Sequence, residues 1–338
     1  MILTKLLPAL AVAALSFAGP FAGMSARADC VGANMIDALP ESDRAALRAA
    51  AGAVPYPVGN IWQATRDGQR VWLVGTYHLD DPRHADKMAR IEGLIDQAEA
   101  VLVEAGPEEE DALMAHLARD PSVMVNTDGP TLPELLTEAE WQALSDAMRA
   151  RQIPPFMASK FRPWYVSMLL AIPTCQSAML QEGARGLDGM VIDAALARGL
   201  PVRALEPYDT LFSIFDGMTA EDQLAMIRSS LAVEGQAEDY AVTLADAYFD
   251  GEGRLIWEFS RRMALQMPGY TPERVERDFA RMEEAINTRR NVAWIPVIEA
   301  AAARGPVLAA FGALHLSGDK GVLNLLAEAG WQIERLDG

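Results

Sequence analysis

The sequence predicts an α/β fold with a central, mostly parallel sheet flanked by helices, and two observations carry that prediction. Short apolar runs rich in β-branched residues recur along the chain, and segments of helical periodicity separate them. Alternation of this kind marks a parallel sheet, because consecutive parallel strands need a crossover long enough to hold a helix. A third observation refines the architecture: two long stretches, about 108–184 and 210–292, break the alternation and read as almost entirely helical. They are expected to be helical insertions lying over the carboxyl edge of the sheet.

Five strands are expected, at residues 70–76, 100–103, 201–205, 306–311 and 332–336. The helix at 82–98 places Met88, Ile91, Leu94 and Ile95 on one face at spacings of three and four. Helical patterns at 187–198 and 321–329 precede later strands in the same way. Inside the first insertion, Thr137 followed by Glu140 is a capping box, in which the hydroxyl accepts from the glutamate amide while the glutamate reaches back. Thr219 with Asp222 starts a helix similarly in the second. The methionines Met157, Met168, Met179 and Met190 are read as core packing in preference to an adaptable binding surface. No repeat, low-complexity tract or Gly/Ser linker divides the chain, so residues 29–338 are expected to form one domain.

Composition limits the functional classes. With 29 Lys+Arg against 47 Asp+Glu and a net charge of −18 among 338 residues, no nucleic-acid partner is expected. Residues 1–28 place Lys5 ahead of an apolar run and end in Ala26-Arg27-Ala28, as a cleavable secretory signal does. A membrane span is the competing reading, but the apolar stretch before Gly19-Pro20 falls short of the roughly 20 residues that a span needs. A periplasmic or secreted protein without a stable membrane anchor is therefore expected. In that oxidising compartment Cys30 and Cys175 are an even pair suited to one disulfide, with two buried free thiols as the alternative.

Four apolar strands run directly into residues that can ligate metal or move protons: His78, Glu104, Glu206 and His315. Parallel strands would gather these side chains at one carboxyl edge, where open α/β sheets place their ligand sites. The chain has only four histidines, and two of them, His78 and His315, follow Gly-x-x at strand ends. Gly75 and Gly312 permit close backbone approach or a bulge at those positions. Of the other two, His116 lies mid-helix and is read as ordinary, while His84 is a minor candidate for a loop near the site. Asp188 opens a helix, as a cap residue or as a pocket group, and Arg290 can bind an anion or pair with Glu104 or Glu206. Two imidazoles with one or two carboxylates can form an open divalent-metal site, and a metal-free acid–base pair of His and Glu remains the alternative. No phosphate loop and no Gly-x-Ser-x-Gly elbow is present.

Gly75-Thr-Tyr-His78 followed by Asp81-Pro-Arg83, then Glu104, Gly186-Leu-Asp188, Leu205-Glu206, Arg290-Asn291 and Gly312-Ala-Leu-His315-Leu-Ser-Gly318 together resemble the TraB/GumN family. The order of Cys30, Gly59-Asn60-Ile61-Trp62 and Gly-Thr-x-His resembles its bacterial GumN-type branch. The family includes the TIKI proteins, extracellular metal-dependent proteases, and is similar at greater distance to erythromycin-esterase-like and ChaN-like proteins that share the α/β core. The resemblance implies His78, Glu104 and His315 as catalytic residues, with Asp188, Glu206, Arg290 and Asn291 in support.

From these observations a secreted or periplasmic metal-dependent hydrolase of peptide or other amide or ester bonds is expected. Catalytic roles fall to His78, Glu104, His315, Arg290 and Asn291. Ligands for a divalent transition metal (manganese, cobalt or zinc) are expected among His78, Glu104, His315, Asp188 and Glu206. The substrate is then a peptide or a small molecule. Two alternatives stay open: a non-catalytic protein that binds a small ligand or haem through an imidazole, and a partner-binding factor for export or surface polysaccharide. Tyr77 and Trp164 are the aromatic residues expected nearest the opening of the pocket.

Overall fold

The computed structural model describes residues 30–181, 183–267 and 269–337; the expected signal segment lies outside them. Six strands form one sheet: β1 (Ile61–Arg66), β2 (Gln69–Thr76), β3 (Ala100–Val103), β4 (Val202–Ala204), β5 (Val307–Gly312) and β6 (Gln332–Arg335). Their order is β4-β3-β5-β2-β1-β6. The four strands from β4 to β2 are mutually parallel, and β1 runs antiparallel to both β2 and β6. The α/β expectation therefore holds, and so do its five strands to within a residue or two at each end.

The unanticipated strand is β1. It forms a tight hairpin with β2 around Asp67 and Gly68, both in the left-handed region with φ of 50° and 81°. Asp-Gly is a strong hairpin signal because the glycine adopts that conformation without steric cost. The signal was present in the sequence, but Gln63, Thr65 and Arg66 dilute the apolar character of the strand.

Alternate residues of each central strand face opposite layers, as a sheet covered on both sides requires. Val71 and Leu73 of β2, with Val307, Ala309 and Phe311 of β5, pack beneath helices Arg289–Ala302 and Val322–Glu328 through Trp294, Ile298, Leu323 and Leu326. Trp72, Val74, Leu308 and Ala310 face Met88, Ile91 and Ile95 of helix His84–Ile95 and Leu187, Val191 and Ile192 of helix Leu187–Ala197. Both helices therefore begin close to where the sequence pattern put them.

The two insertions are helical and share a core of their own. Leu113, Leu144, Tyr165 and Leu169 of the first pack against Leu224 and Ile227 of the second. Buried Arg151 crosses between them, donating to Glu234 at 2.5 Å and to the carbonyls of Ala147, Leu169, Leu170 and Ile172. Both anticipated caps form, with Thr137 accepting from the Glu140 amide at 3.3 Å and Thr219 from that of Asp222 at 3.1 Å. Met157 and Met168 pack on the insertion core and Met190 on the sheet layer; the Met179 side chain lies outside the described residues. The insertions fasten to the carboxyl edge at defined points. The Tyr248 hydroxyl donates to the Gly75 carbonyl at 3.0 Å, and the Gln176 amide donates to the Asp80 carbonyl at 3.0 Å. Among the described residues no helix is long and apolar enough to cross a membrane.

Cys30 and Cys175 form a disulfide across 145 residues, with Cα atoms 5.2 Å apart. It ties the segment before helix Glu41–Ala51 to helix Thr174–Gln181 of the first insertion. Closing so long a loop restricts the unfolded chain, so Cys30→Ser with Cys175→Ser is expected to cost about 3–5 kcal/mol in the chain-entropy account. Urea denaturation of the oxidised parent and the double variant measures this; equal stabilities would contradict it.

Candidate functional site

The parallel arrangement brings His78, Glu104, Glu206 and His315 to one edge, since each follows the end of β2, β3, β4 or β5. Absent side chains make the convergence possible. A Cβ on Gly75 would lie 2.6 Å from the Leu316 side chain and 3.0 Å from Ala313 Cα, so only glycine lets β2 meet the turn that carries His315. A Cβ on Gly312 would lie 3.0 Å from His78 Nε2 and 3.3 Å from Glu104 Oε1. The purpose of both glycines is close approach, without a bulge: Thr76 still pairs in register with Gly312. A short 3₁₀ turn, Ala313–His315, then folds His315 back over the edge.

Arg290 occupies the centre. Its Nη2 donates to Glu104 Oε2 at 2.6 Å and to Glu206 Oε1 at 2.6 Å, and its Nε donates to Glu206 Oε2 at 2.9 Å. Its Nη1 lies 3.2 Å from His315 Nε2. A guanidinium has no acceptor, so Nε2 of His315 accepts and the imidazole proton resides on Nδ1. That nitrogen donates to Asn291 Oδ1 at 2.6 Å, while Asn291 Nδ2 is anchored on the Lys320 carbonyl at 2.8 Å. Glu104 Oε1 also accepts from the Gly312 amide at 2.6 Å. His78 stands at the open side with its side chain 53% exposed, and its Nδ1 donates to Asp188 Oδ1 at 2.9 Å. Asp188 comes from the first turn of helix Leu187–Ala197, whose leading amide is held by the Tyr77 carbonyl at 3.0 Å.

The electrostatics follow from these contacts. Burial alone would raise the Glu104 carboxyl, but Arg290, His315 and His78 outweigh it and hold it down to about 2. Burial, together with the nearby Glu104 charge, raises Glu206 against the pull of Arg290 and Trp294. Two carboxylates sharing one cation are thereby pushed apart in acidity. Burial and the Arg290 charge drive His315 down to about 3, so it is neutral at pH 7. Asp188 raises His78, and His78 in turn outweighs burial to hold Asp188 well below the ordinary carboxylate range.

All seven residues singled out from the sequence meet at this edge: His78, Glu104, Asp188, Glu206, Arg290, Asn291 and His315. Two further residues belong with them. Trp294 donates to Glu206 Oε2 at 3.0 Å, and its ring lies 4.5 Å from that of His315. It stands four positions after Arg290 on the same helix face, which is the signal that would have found it. Thr76, two residues before His78 and buried, hydrogen-bonds Asp188 Oδ1. His84 is buried, its Nε2 2.9 Å from the Leu79 carbonyl, and His116 pairs with the Tyr208 hydroxyl. For Trp164 the aromatic expectation needs correction. Trp164 is 6% exposed and stacks on Phe215 in the insertion core, and Tyr77 is half-buried and stacked on Tyr248. Pairing among the insertion aromatics, invisible to local pattern, draws Trp164 inward.

Among the described residues, no three His, Cys, Asp or Glu side chains are already disposed about one point as metal ligands. By donor chemistry alone, His78, Glu104 and His315 are the residues that could hold a divalent ion. Both imidazoles have Nδ1 committed, to Asp188 and to Asn291, as metal-binding histidines commit their far nitrogen. His78 Nε2 and Glu104 Oε1 both border the space over Gly312, and His315 Nε2 is 3.9 Å from Glu104 Oε1. Arg290 would have to release His315 Nε2. Asp188 lies behind His78, and Glu206 lies behind Arg290 and Trp294.

Fold and edge together define an α/β protein with a polar site at a carboxyl sheet edge, to which helical insertions are fastened. Residues 60–335 match the TraB/PrgY/gumN family, and the chain belongs to it. No curated protein matches the sequence.

A pH dependence follows from His315. Its ordinary pKa near 6.5 is lowered to about 3 on folding, so below pH 6.5 the unfolded chain binds a proton that the folded chain refuses. Stability should fall as pH drops from about 6.5 towards 3, and less steeply in His315→Gln. Thermal midpoints measured across that range test this; parallel curves for parent and variant would contradict it.

Proposed function

We propose that this chain is a periplasmic or secreted, metal-dependent hydrolase of peptide or other amide or ester bonds. One observation carries the reading: His78 and His315, their far nitrogens committed to Asp188 and Asn291, flank the same carboxylate, Glu104, with His78 open to solvent. His78, Glu104 and His315 would hold the ion, which when bound lowers the pKa of water and polarises a carbonyl. Asp188 and Asn291 fix the ring orientations and tautomers. Glu104 remains ionised across the working range, as an anionic ligand must. Arg290, held by Glu206, supplies a fixed positive charge to an oxygen that becomes negative as the carbonyl is attacked. The family itself does not fix the reaction. The periplasmic location rests on the N-terminal segment, with support from the disulfide.

A second reading has one observation in its favour: Arg290 already pairs with both Glu104 and Glu206, offsetting their repulsion without an ion. The chain would then bind a small ligand, or haem through His78, without turnover. Elemental analysis of the purified parent, His78→Ala and His315→Ala separates the two. The hydrolase reading predicts a stoichiometric transition metal in the parent, lost from both variants, and peptide hydrolysis that stops on chelation. A metal-free parent that cannot be loaded with zinc, manganese or cobalt would overturn it, and a visible haem band would establish the alternative.

A further inference from the structure

The carboxylate behind His78 is held unevenly. Asp188 Oδ1 receives both the Thr76 hydroxyl and the His78 Nδ1 proton, whereas its Oδ2 is buried with no hydrogen-bond partner among the described residues. Rotation about the terminal carboxylate torsion is soft, so a single hydrogen bond does not fix the carboxylate in line with the imidazole. Two donors converging on one oxygen do. Thr76 is well suited to be the second donor. It is 3% exposed, it is the last residue of β2, and its backbone is set by in-register pairing with Gly312. Its β-branched side chain is stiff about χ1.

We infer that Thr76 is a positioning residue of the site, which acts on His78 through Asp188. The Thr76 hydroxyl pins Asp188 Oδ1, and the pinned oxygen keeps the neutral His78 proton on Nδ1 and its Nε2 lone pair towards the space over Gly312. Without that hydroxyl the carboxylate turns more freely, and the imidazole loses its single tautomer. The effect on turnover rests on the hydrolase reading; the effect on the imidazole does not.

Three variants isolate the hydroxyl from the volume it occupies. Thr76→Val keeps the shape and removes the donor, whereas Thr76→Ser keeps the donor and removes a methyl. Thr76→Ala compared with Thr76→Ser differs by the hydroxyl alone, which decides the matter if the valine variant does not fold. His78→Gln assigns the His78 signals among the four histidines. The tautomer is read by nitrogen-15 NMR of the imidazoles at alkaline pH, above the raised His78 range as a titration of each protein locates it. The parent and Thr76→Ser should show His78 protonated on Nδ1 alone, and Thr76→Val and Thr76→Ala a mixture of both tautomers. If the parent hydrolyses peptide, kcat should fall about 10-fold in the two variants lacking the hydroxyl with KM little changed, and recover in Thr76→Ser. Parent-like His78 tautomers in Thr76→Val or Thr76→Ala would overturn the inference, as would a defect confined to Thr76→Ser, which marks a packing role. A parent without hydrolytic activity would count against the hydrolase reading alone, and the tautomer result would still decide the role of Thr76.

Discussion

The Arg290 guanidinium is the interaction on which this edge of the sheet depends. It joins the carboxylates of Glu104 and Glu206, from the neighbouring strands β3 and β4, and reaches the buried nitrogen of His315 beside β5. Two carboxylates brought so close and partly withdrawn from water repel each other, and the desolvation of each adds to that cost. A single planar cation with several donors in fixed geometry offsets both terms in a way that a lysine ammonium would not. The rest of the site is arranged around that charge. Trp294 braces the far oxygen of Glu206, the Gly312 amide braces Glu104, and Asn291 holds His315 in the tautomer that can accept from Arg290.

The clamp is also continuous in the chain with the second insertion. Arg290 and Asn291 lie in the opening turn of helix Arg289–Ala302, directly after the π turn Glu284–Thr288 that closes the second insertion. π turns recur at functional sites because the extra residue re-aims the side chains that follow. On the opposite flank His78 remains open to solvent, so the edge has one closed side built on arginine and one accessible side built on imidazole.

Much of this was legible in the sequence, for a local reason. A buried parallel strand is a short apolar run, and the residue that ends it lies at the carboxyl edge whatever the order of strands, so His78, Glu104, Glu206 and His315 could be gathered before the topology was known. Strand β1 escaped because its polar residues mask the run and only the Asp67-Gly68 turn betrays it. Trp164 was placed at the opening from an interrupted helical pattern, yet its position is decided by Phe212 and Phe215 of the other insertion. The joint use of Arg290 by two carboxylates and a histidine, and the hydroxyl of Thr76 on Asp188, are pairings between distant segments that periodicity does not encode.

The central claim is that Arg290 is the charge that permits Glu104 and Glu206 to share the edge. A double-mutant cycle in urea between Arg290→Met and Glu206→Gln tests it most directly. Removing the guanidinium alone should destabilise the fold by about 3–5 kcal/mol, as breaking a buried ion pair does, and adding Glu206→Gln should restore a substantial part of that loss. An Arg290→Met protein as stable as the parent, or one that Glu206→Gln does not rescue, would contradict the account.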